Sequence, residues 1–222
     1  MGLTEHEADW GLVIAIDGPA GAGKSTVGRA LAERLGLEYL DTGAMYRAMT
    51  FAAQQRGVTE GDLAAIAEMA PDVDIVVDGP RVIVDGVDAT ADIRGRAVTA
   101  AVSQIAANPA VRAVLVERQR AWVAERGGGV VEGRDIGTVV FPDARLKLYV
   151  TASPRVRAER RVGDIGGDVD EVEASIIERD RRDSSRAHSP LSEAADAVVV
   201  DTTGMTVDEV VEHVLGLLEA AR

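Results

Sequence analysis

A buried strand that breaks into a glycine-rich turn and restarts at once as a helix leaves this chain few folds to choose from. Leu12-Val13-Ile14-Ala15-Ile16 is a continuous apolar run of strand length. It leads into Gly18-Pro19-Ala20-Gly21-Ala22-Gly23-Lys24-Ser25, which matches G-x-x-x-x-G-K-[ST]. Val27, Leu31 and Leu35 then recur at helical spacing as far as Gly36, a helix-stop residue. Glycines in such a turn let backbone N–H groups approach phosphate oxygens, and the helix N-terminus adds positive potential. Lys24 can bridge the β- and γ-phosphates of a nucleotide, and the Ser25 hydroxyl can sit on Mg²⁺. Gly18 to Thr26 is therefore the expected nucleotide-binding loop, with ATP and Mg²⁺ as its expected occupants.

The pattern predicts a doubly wound parallel sheet with an insertion. A second strand is expected over Leu37–Asp41 and a helix over Tyr46–Arg56. Asp74–Asp78 and Arg81–Asp85 are β-branched runs joined by Gly79-Pro80, the pattern of an antiparallel hairpin. Helices follow over 97–107 and 109–125, the second with Asn108 as N-cap and Pro109 at its first position. Val130-Val131, Leu146–Val150 and Ala197–Val200 read as further strands. Ser153-Pro154 opens an arginine-rich helix, and Thr206 to Glu209 fits a capping box ahead of a C-terminal one. Gly163 to Asp170 has the composition of a flexible flap.

Composition removes several classes of function. There is no cysteine, so disulfides, thiolate zinc sites and cysteine nucleophiles are excluded together. Basic residues number 24 and acidic residues 37, a net charge of −13, which disfavours DNA, RNA and anionic lipid as partners. Only Lys24 and Lys147 of those basic residues are lysines; composition alone favours a coding bias as the reason. Aromatic residues at 3% are too few for base stacking on any scale. No apolar run reaches the ~18 residues of a spanning helix. The first ten residues carry Glu5, Glu7 and Asp9 and no cationic segment, so no signal peptide is expected and the cytoplasm is the expected compartment. The protein is expected to be a monomer. His6, His188 and His213 lie in no motif and read as surface or helix filler, and Trp122 reads as core.

A phosphate-binding loop alone fits a kinase, a regulatory GTPase or an ATP-driven machine. Asp201-Thr202-Thr203-Gly204 matches D-x-x-G, yet it stands at the last strand and no N-K-x-D follows, so it reads as a strand-end turn. A kinase of a small substrate is favoured by arginines placed beside short polar turns. Arg47 follows Asp41-Thr42-Gly43, and Arg134 follows Glu132-Gly133. Ligands gather beyond the carboxyl ends of parallel strands, so both arginines can converge near the loop, where guanidinium forks suit a dianionic phosphate. Gly127-Gly128-Gly129 is superficially similar to the triple glycine of shikimate-type kinases, and a non-catalytic nucleotide switch is the other rival.

At this point the chain resembles the bacterial cytidylate kinases. The similarity rests on Asp17 to Thr26, Asp41-Thr42-Gly43-Ala44-Met45-Tyr46-Arg47, Ser103-Gln104 with Pro109 and Val111-Arg112, and Glu132 through Asp143. Arg179 to Arg186 ahead of Ser189-Pro190-Leu191 completes it, so the matches run from about residue 12 to 203. The resemblance implies an α/β P-loop kinase fold: a five-stranded parallel sheet flanked by helices, an inserted antiparallel β/helical acceptor-binding subdomain, and a short lid. It implies one kinase domain over 1–222, with a core at about 11–56, 108–156 and 171–222, the insertion at 57–107 and the lid at 157–170.

The implied reaction moves the ATP γ-phosphoryl to CMP or dCMP. By the same resemblance Arg47 and Arg134 hold the acceptor phosphate, while Ser103, Arg112, Asp135 and Arg186 surround the cytosine. Tyr46, Arg179 and Asp183 position the sugar, and Thr42 stands where the family often has serine. Arg157, Arg160 and Arg161 form the lid's arginine group, Arg157 near the adenine and Arg161 near the phosphates. Lys24, Arg134, Arg157 and Arg161 are thus the expected catalytic residues. No general base is required, because a phosphate monoester is already largely ionised near pH 7.

Overall fold

The computed structural model describes residues 10–186 and 189–220. His6, His188 and the acidic start Glu5, Glu7 and Asp9 lie outside the described residues. In chain order the elements begin with β1 (Leu12–Asp17), α1 (Lys24–Leu35), β2 (Tyr39–Asp41), α2 (Thr42–Gln55) and α3 (Leu63–Met69). A small β region follows as β3 (Ile75–Asp78), β4 (Arg81–Val84) and β5 (Val87–Asp88). Next come α4 (Arg96–Ile105), α5 (Pro109–Arg126), β6 (Gly128–Glu132) and β7 (Leu146–Thr151). The chain closes with α6 (Pro154–Ile165), α7 (Val169–Ser184), β8 (Val198–Asp201) and α8 (Val207–Ala220).

The main sheet has five parallel strands, as expected, and their order is β2-β6-β1-β7-β8. Both faces of β1 are covered, which is why its sequence is an unbroken apolar run rather than an alternation. Val13 and Ala15 join Met49 and Leu115 of α2 and α5 on one face. Ile14 and Ile16 join Leu31 and Val214 of α1 and α8 on the other. With β1 central and every strand parallel, Asp17, Asp41 and Glu132, the last residues of β1, β2 and β6, meet along one edge. That edge carries the site.

The second sheet is antiparallel with the order β3-β4-β5. Its third strand was not anticipated. Val84 pairs with Val87 across Asp85-Gly86, both at positive φ, and D-G is a recognised signal for a two-residue hairpin turn. Asp85 also accepts bonds from Asp74 N at 2.9 Å and from Arg56 at 2.8 Å, tying this end of the sheet to the end of α2.

Two further expectations need correction. Helix α2 starts at Thr42, four residues early, because Asp41 caps it directly with a bond from Ala44 N at 2.9 Å. The stretch from Gly163 to Asp170, expected as a flexible flap, is mostly helical: α6 runs on to Ile165 and α7 starts at Val169. Only Gly166 to Asp168 form the turn, and Asp168 caps α7 through Asp170 N and Glu171 N. The triple glycine, only superficially like that of shikimate-type kinases, serves packing. Gly127 closes α5, and a Cβ on Gly128 would stand 2.6 Å from Leu12 O.

The expected caps are present. Thr206 and Glu209 form a reciprocal capping box, and Ser153 accepts from Val156 N. Trp122 packs against the core beneath the stacked guanidinium of Arg126. Asn108 caps α5 through Ala110 N at 3.0 Å and also donates to Leu63 O at 2.8 Å, tying α5 to α3. Asn108→Ala removes the cap and strands the Leu63 carbonyl, so an expected loss of about 1–2 kcal/mol follows. Urea unfolding checks this: an unchanged midpoint for Asn108→Ala would contradict the role.

Candidate active site

At the carboxyl edge of the main sheet lies a cleft of about 810 Å³. Its floor is the loop after β1. Gly18 has φ 144°, and a Cβ there would sit 1.9 Å from Val150 O, so the loop can leave β1 beside β7 only with glycine. Ala20, Gly21, Gly23, Lys24, Ser25 and Thr26 line the cleft; Gly18, Pro19 and Ala22 lie behind and shape the turn. Lys24 is buried and donates to Pro19 O at 2.8 Å. Burial, reinforced by the charge of Arg134, lowers its pKa to about 7. An ammonium in that state gains greatly from an arriving anion.

Across the cleft stand the arginines expected to hold an acceptor. Arg47 pairs with Asp41 at 2.7 Å; burial alone would raise the Asp41 carboxyl, but the Arg47 guanidinium holds it below the usual range. Asp183, 1% exposed, faces three arginines at once: Arg134 at 3.2 Å, Arg186, and Arg179 at 4.0 Å. Arg179 is pushed down to about 10 by burial and by its neighbour Arg134. Arg112 and Asp135 form a buried pair, with Arg112 also lying over the Tyr46 ring at 5.6 Å. Burial raises Asp135 while Arg112 opposes the rise. Ser103 reaches the same pocket from α4. Tyr46 turns its hydroxyl inward, so its contribution to the cleft is its ring. The Thr42 hydroxyl is engaged with Glu132 O at 2.6 Å, joining the ends of β2 and β6.

The three arginines of α6 divide. Arg161 and Arg160 line the cleft, but Arg157 does not. Arg157 is 4% exposed and donates to Ala152 O, Ala20 O and Asp180, which fastens α6 and α7 to the back of the phosphate loop. Arg160 binds Thr202, whose hydroxyl lies 3.1 Å from Ala22 O. Asp201 caps Thr203 N, so Asp201 to Gly204 is indeed a strand-end turn.

Several groups in the cleft escaped the sequence reading, among them Arg29, Asp164, Arg94 and Glu132. Arg94, from the turn Asp92–Arg94, projects into it from the inserted part. Glu132 accepts the Ser25 hydroxyl at 2.8 Å, while its second oxygen is buried without a hydrogen-bond partner. Burial and the nearby Asp41 raise its pKa. Its position at the end of the strand next to β1 was the available signal. A hydroxyl beside a carboxylate with an unpartnered buried oxygen fits a hard cation such as Mg²⁺. No cluster of three metal-binding side chains exists among the described residues, so most ligands of such an ion would come from substrate phosphates and water.

A family model described as cytidylate kinase matches residues 14–220. The chain belongs to the cytidylate kinase family. It is 49% identical to the cytidylate kinase of Mycobacterium leprae over 94% of this chain and 96% of that one. It is 46% identical to that of Streptomyces griseus, covering 100% and 99% of the two chains. It also matches 41% of a longer bifunctional pantoate ligase/cytidylate kinase from Synechococcus elongatus, at 50% identity over 92% of this chain. Among solved structures, a shikimate kinase from Acinetobacter baumannii is similar with a TM-score of 0.51, 16% identity and 96% coverage of both chains. That likeness concerns the fold, that of the P-loop kinases. Within this cytidylate kinase family member, removing Asp135 would leave Arg112 buried and unpaired. Asp135→Ala is expected to cost about 3–5 kcal/mol, read as a fall in the urea midpoint. A double variant that also replaces Arg112 with methionine should recover much of the loss; no recovery would show that the pair is not the cause.

Proposed function

We propose that this protein transfers the γ-phosphoryl group of ATP to CMP or dCMP, giving ADP and CDP or dCDP. The observation that carries the reading is one cleft with a phosphate loop on one wall and Arg47, Arg134 and the Arg112–Asp135 pair on the other. The same reading makes residues 57–107 the acceptor-binding part and 157–170 the lid, the latter a helical hairpin rather than a loop. It takes the protein as a cytoplasmic monomer acting on free nucleotides.

In this mechanism the loop N–H groups and Lys24 grip the β- and γ-phosphates, and Arg161 and Arg160 cover them from α6. Arg47 and Arg134 hold the acceptor phosphate, with Arg94 added from the inserted part as it approaches. Mg²⁺, held with the nucleotide phosphates near Ser25 and Glu132, would supply further neutralisation of phosphate charge. An acceptor oxygen already ionised needs no base, so the work of these residues is alignment and charge stabilisation. Asp135 as an anion accepts only, and suits the exocyclic amine of cytosine; uracil would present O4 there. Arg112 donates only, and suits N3 and O2.

Mismatched buried polar groups cost about 1–3 kcal/mol each. The expected kcat/KM for CMP therefore exceeds that for UMP by at least ~10²-fold. Steady-state assays with both acceptors decide this, and equal use of the two would remove the cytosine assignment.

Lys24 yields two further expectations. Lys24→Ala should lower kcat by at least ~10²-fold with the fold intact. At pH 8 the free protein holds Lys24 mostly neutral, since its pKa is about 7, while ATP is fully ionised. ATP binding raises that pKa, so binding should take up as much as about one proton. Calorimetry in buffers of different ionisation enthalpy measures the uptake. Lys24→Met should abolish it, and proton release by the wild type would contradict the assignment.

A further inference from the structure

The last residue of β1, Asp17, stands immediately before the phosphate loop, yet its hydrogen bonds run to the segment that follows β6, just past Arg134 and Asp135. It is 4% exposed. One carboxylate oxygen accepts from Ile136 N at 2.8 Å and the other from Gly137 N at 2.7 Å. These N–H groups open the single helical turn Ile136–Val140, whose own cap residue, Asp135, makes no side-chain cap bond. Free N–H groups at the start of a helical turn require an acceptor when buried. Here a strand 119 residues away in sequence supplies it.

The contact is tight as well as polar. A Cβ on Gly137 would lie 3.4 Å from the Asp17 carboxylate and 3.1 Å from the Lys147 side chain. Arg134 and Asp135 directly precede the clamped N–H groups, and Gly133 N bonds to Ile16 O at 2.9 Å. The segment bearing Arg134 and Asp135 is therefore pinned at both ends to β1, by backbone on one side and by Asp17 on the other. Keeping the carboxylate charged there is costly: burial, and next the repulsion of Asp135, leave its pKa at about 6 despite both N–H bonds. An apolar residue would avoid that cost but could not fix the turn.

We propose that Asp17 is a positioning residue that sets the acceptor-reading segment Arg134–Asp135 in register with the phosphate loop. The proposal deepens the reading of this cleft as a two-nucleotide kinase site and rests on it. In-line transfer needs the two phosphates aligned, and a displacement near 1 Å can cost about 10²-fold. Asp17 acts through the segment it holds and touches neither substrate.

The test is Asp17→Asn, which keeps the shape but turns an amide NH₂ toward one of the two N–H groups. CMP affinity is expected to fall by at least ~10-fold and kcat with it, while the ATP Kd measured without acceptor stays within about threefold. Hydrogen exchange at Ile136 and Gly137 should accelerate at least ~10-fold relative to the amides of β1. Gly137→Ala, which crowds the same contact without altering β1 or the loop, should give a milder form of the same split. ATP affinity falling as much as CMP affinity in either variant would overturn the proposal, by making Asp17 part of the phosphate loop's own support. Unchanged CMP affinity alongside lost amide protection would overturn it too. Failure of the wild type to use CMP would strike the functional reading, whereas the amide-exchange comparison tests the clamp without turnover.

Discussion

Nine arginines and Lys24 line one cleft with only five carboxylates among them, and the fold must hold those like charges together before any phosphate arrives. Buried carboxylates shared between arginines make that possible. Asp183 serves Arg134, Arg179 and Arg186; Asp41 serves Arg47; Asp135 serves Arg112. Each anion is held by more than one contact or by a backbone N–H, as a buried charge must be. The arrangement reconciles a chain of net charge −13 with polyanionic ligands: the acidic excess lies elsewhere, and the cleft is strongly basic. It also implies a ready exchange, since guanidiniums paired with carboxylates can re-pair with phosphate oxygens of similar geometry.

The layered order of the fold places those charges. Parallel strands put every carboxyl terminus on one edge, so short turns after β1, β2 and β6 deliver the loop, Arg47 and Arg134 to the same place. Much of this was legible because the responsible signals are local. The glycine-lysine loop, the apolar run before it, the Asn108 cap and the Thr206–Glu209 box each depend on neighbours within a few residues. The Asp85-Gly86 turn was equally local and was overlooked because the strand beyond it has only two residues.

What escaped depends on distant partners. Nothing near Glu132 in the chain says that its carboxylate meets Ser25, 107 residues earlier. Arg157 shows the same limit in reverse. Its sequence setting matches that of Arg160 and Arg161, but it lies buried, where Asp180, Ala152 O and Ala20 O occupy its donors. Residues three and four apart share a helix face, so Arg157 and Arg161 flank the same surface while only the latter clears the loop. The glycines near 166 were misjudged because composition registers their freedom but not the cap by Asp168 that restarts the helix.

The near absence of lysine gains a physical meaning once the contacts are known. Arg118 donates to the carbonyls of Val73, Ala70 and Pro71, and Arg120 to those of Val139 and Val140. Arg157 bonds three acceptors and Arg160 two atoms of Thr202. Each needs a planar fork with several directed donors, which an ammonium lacks. Because the guanidinium stays charged when buried, it suits the cleft walls, where Arg179 remains at about 10 despite burial. Lys24 and Lys147 are the two exceptions, and Lys24 is the one in the cleft. Lys24 lies buried against the turn between Pro19 and Ser25 as a compact point charge, donating to Pro19 O at 2.8 Å. Its depressed pKa is the consequence of that confinement, and an arriving phosphate restores the charge at the place where transfer requires it.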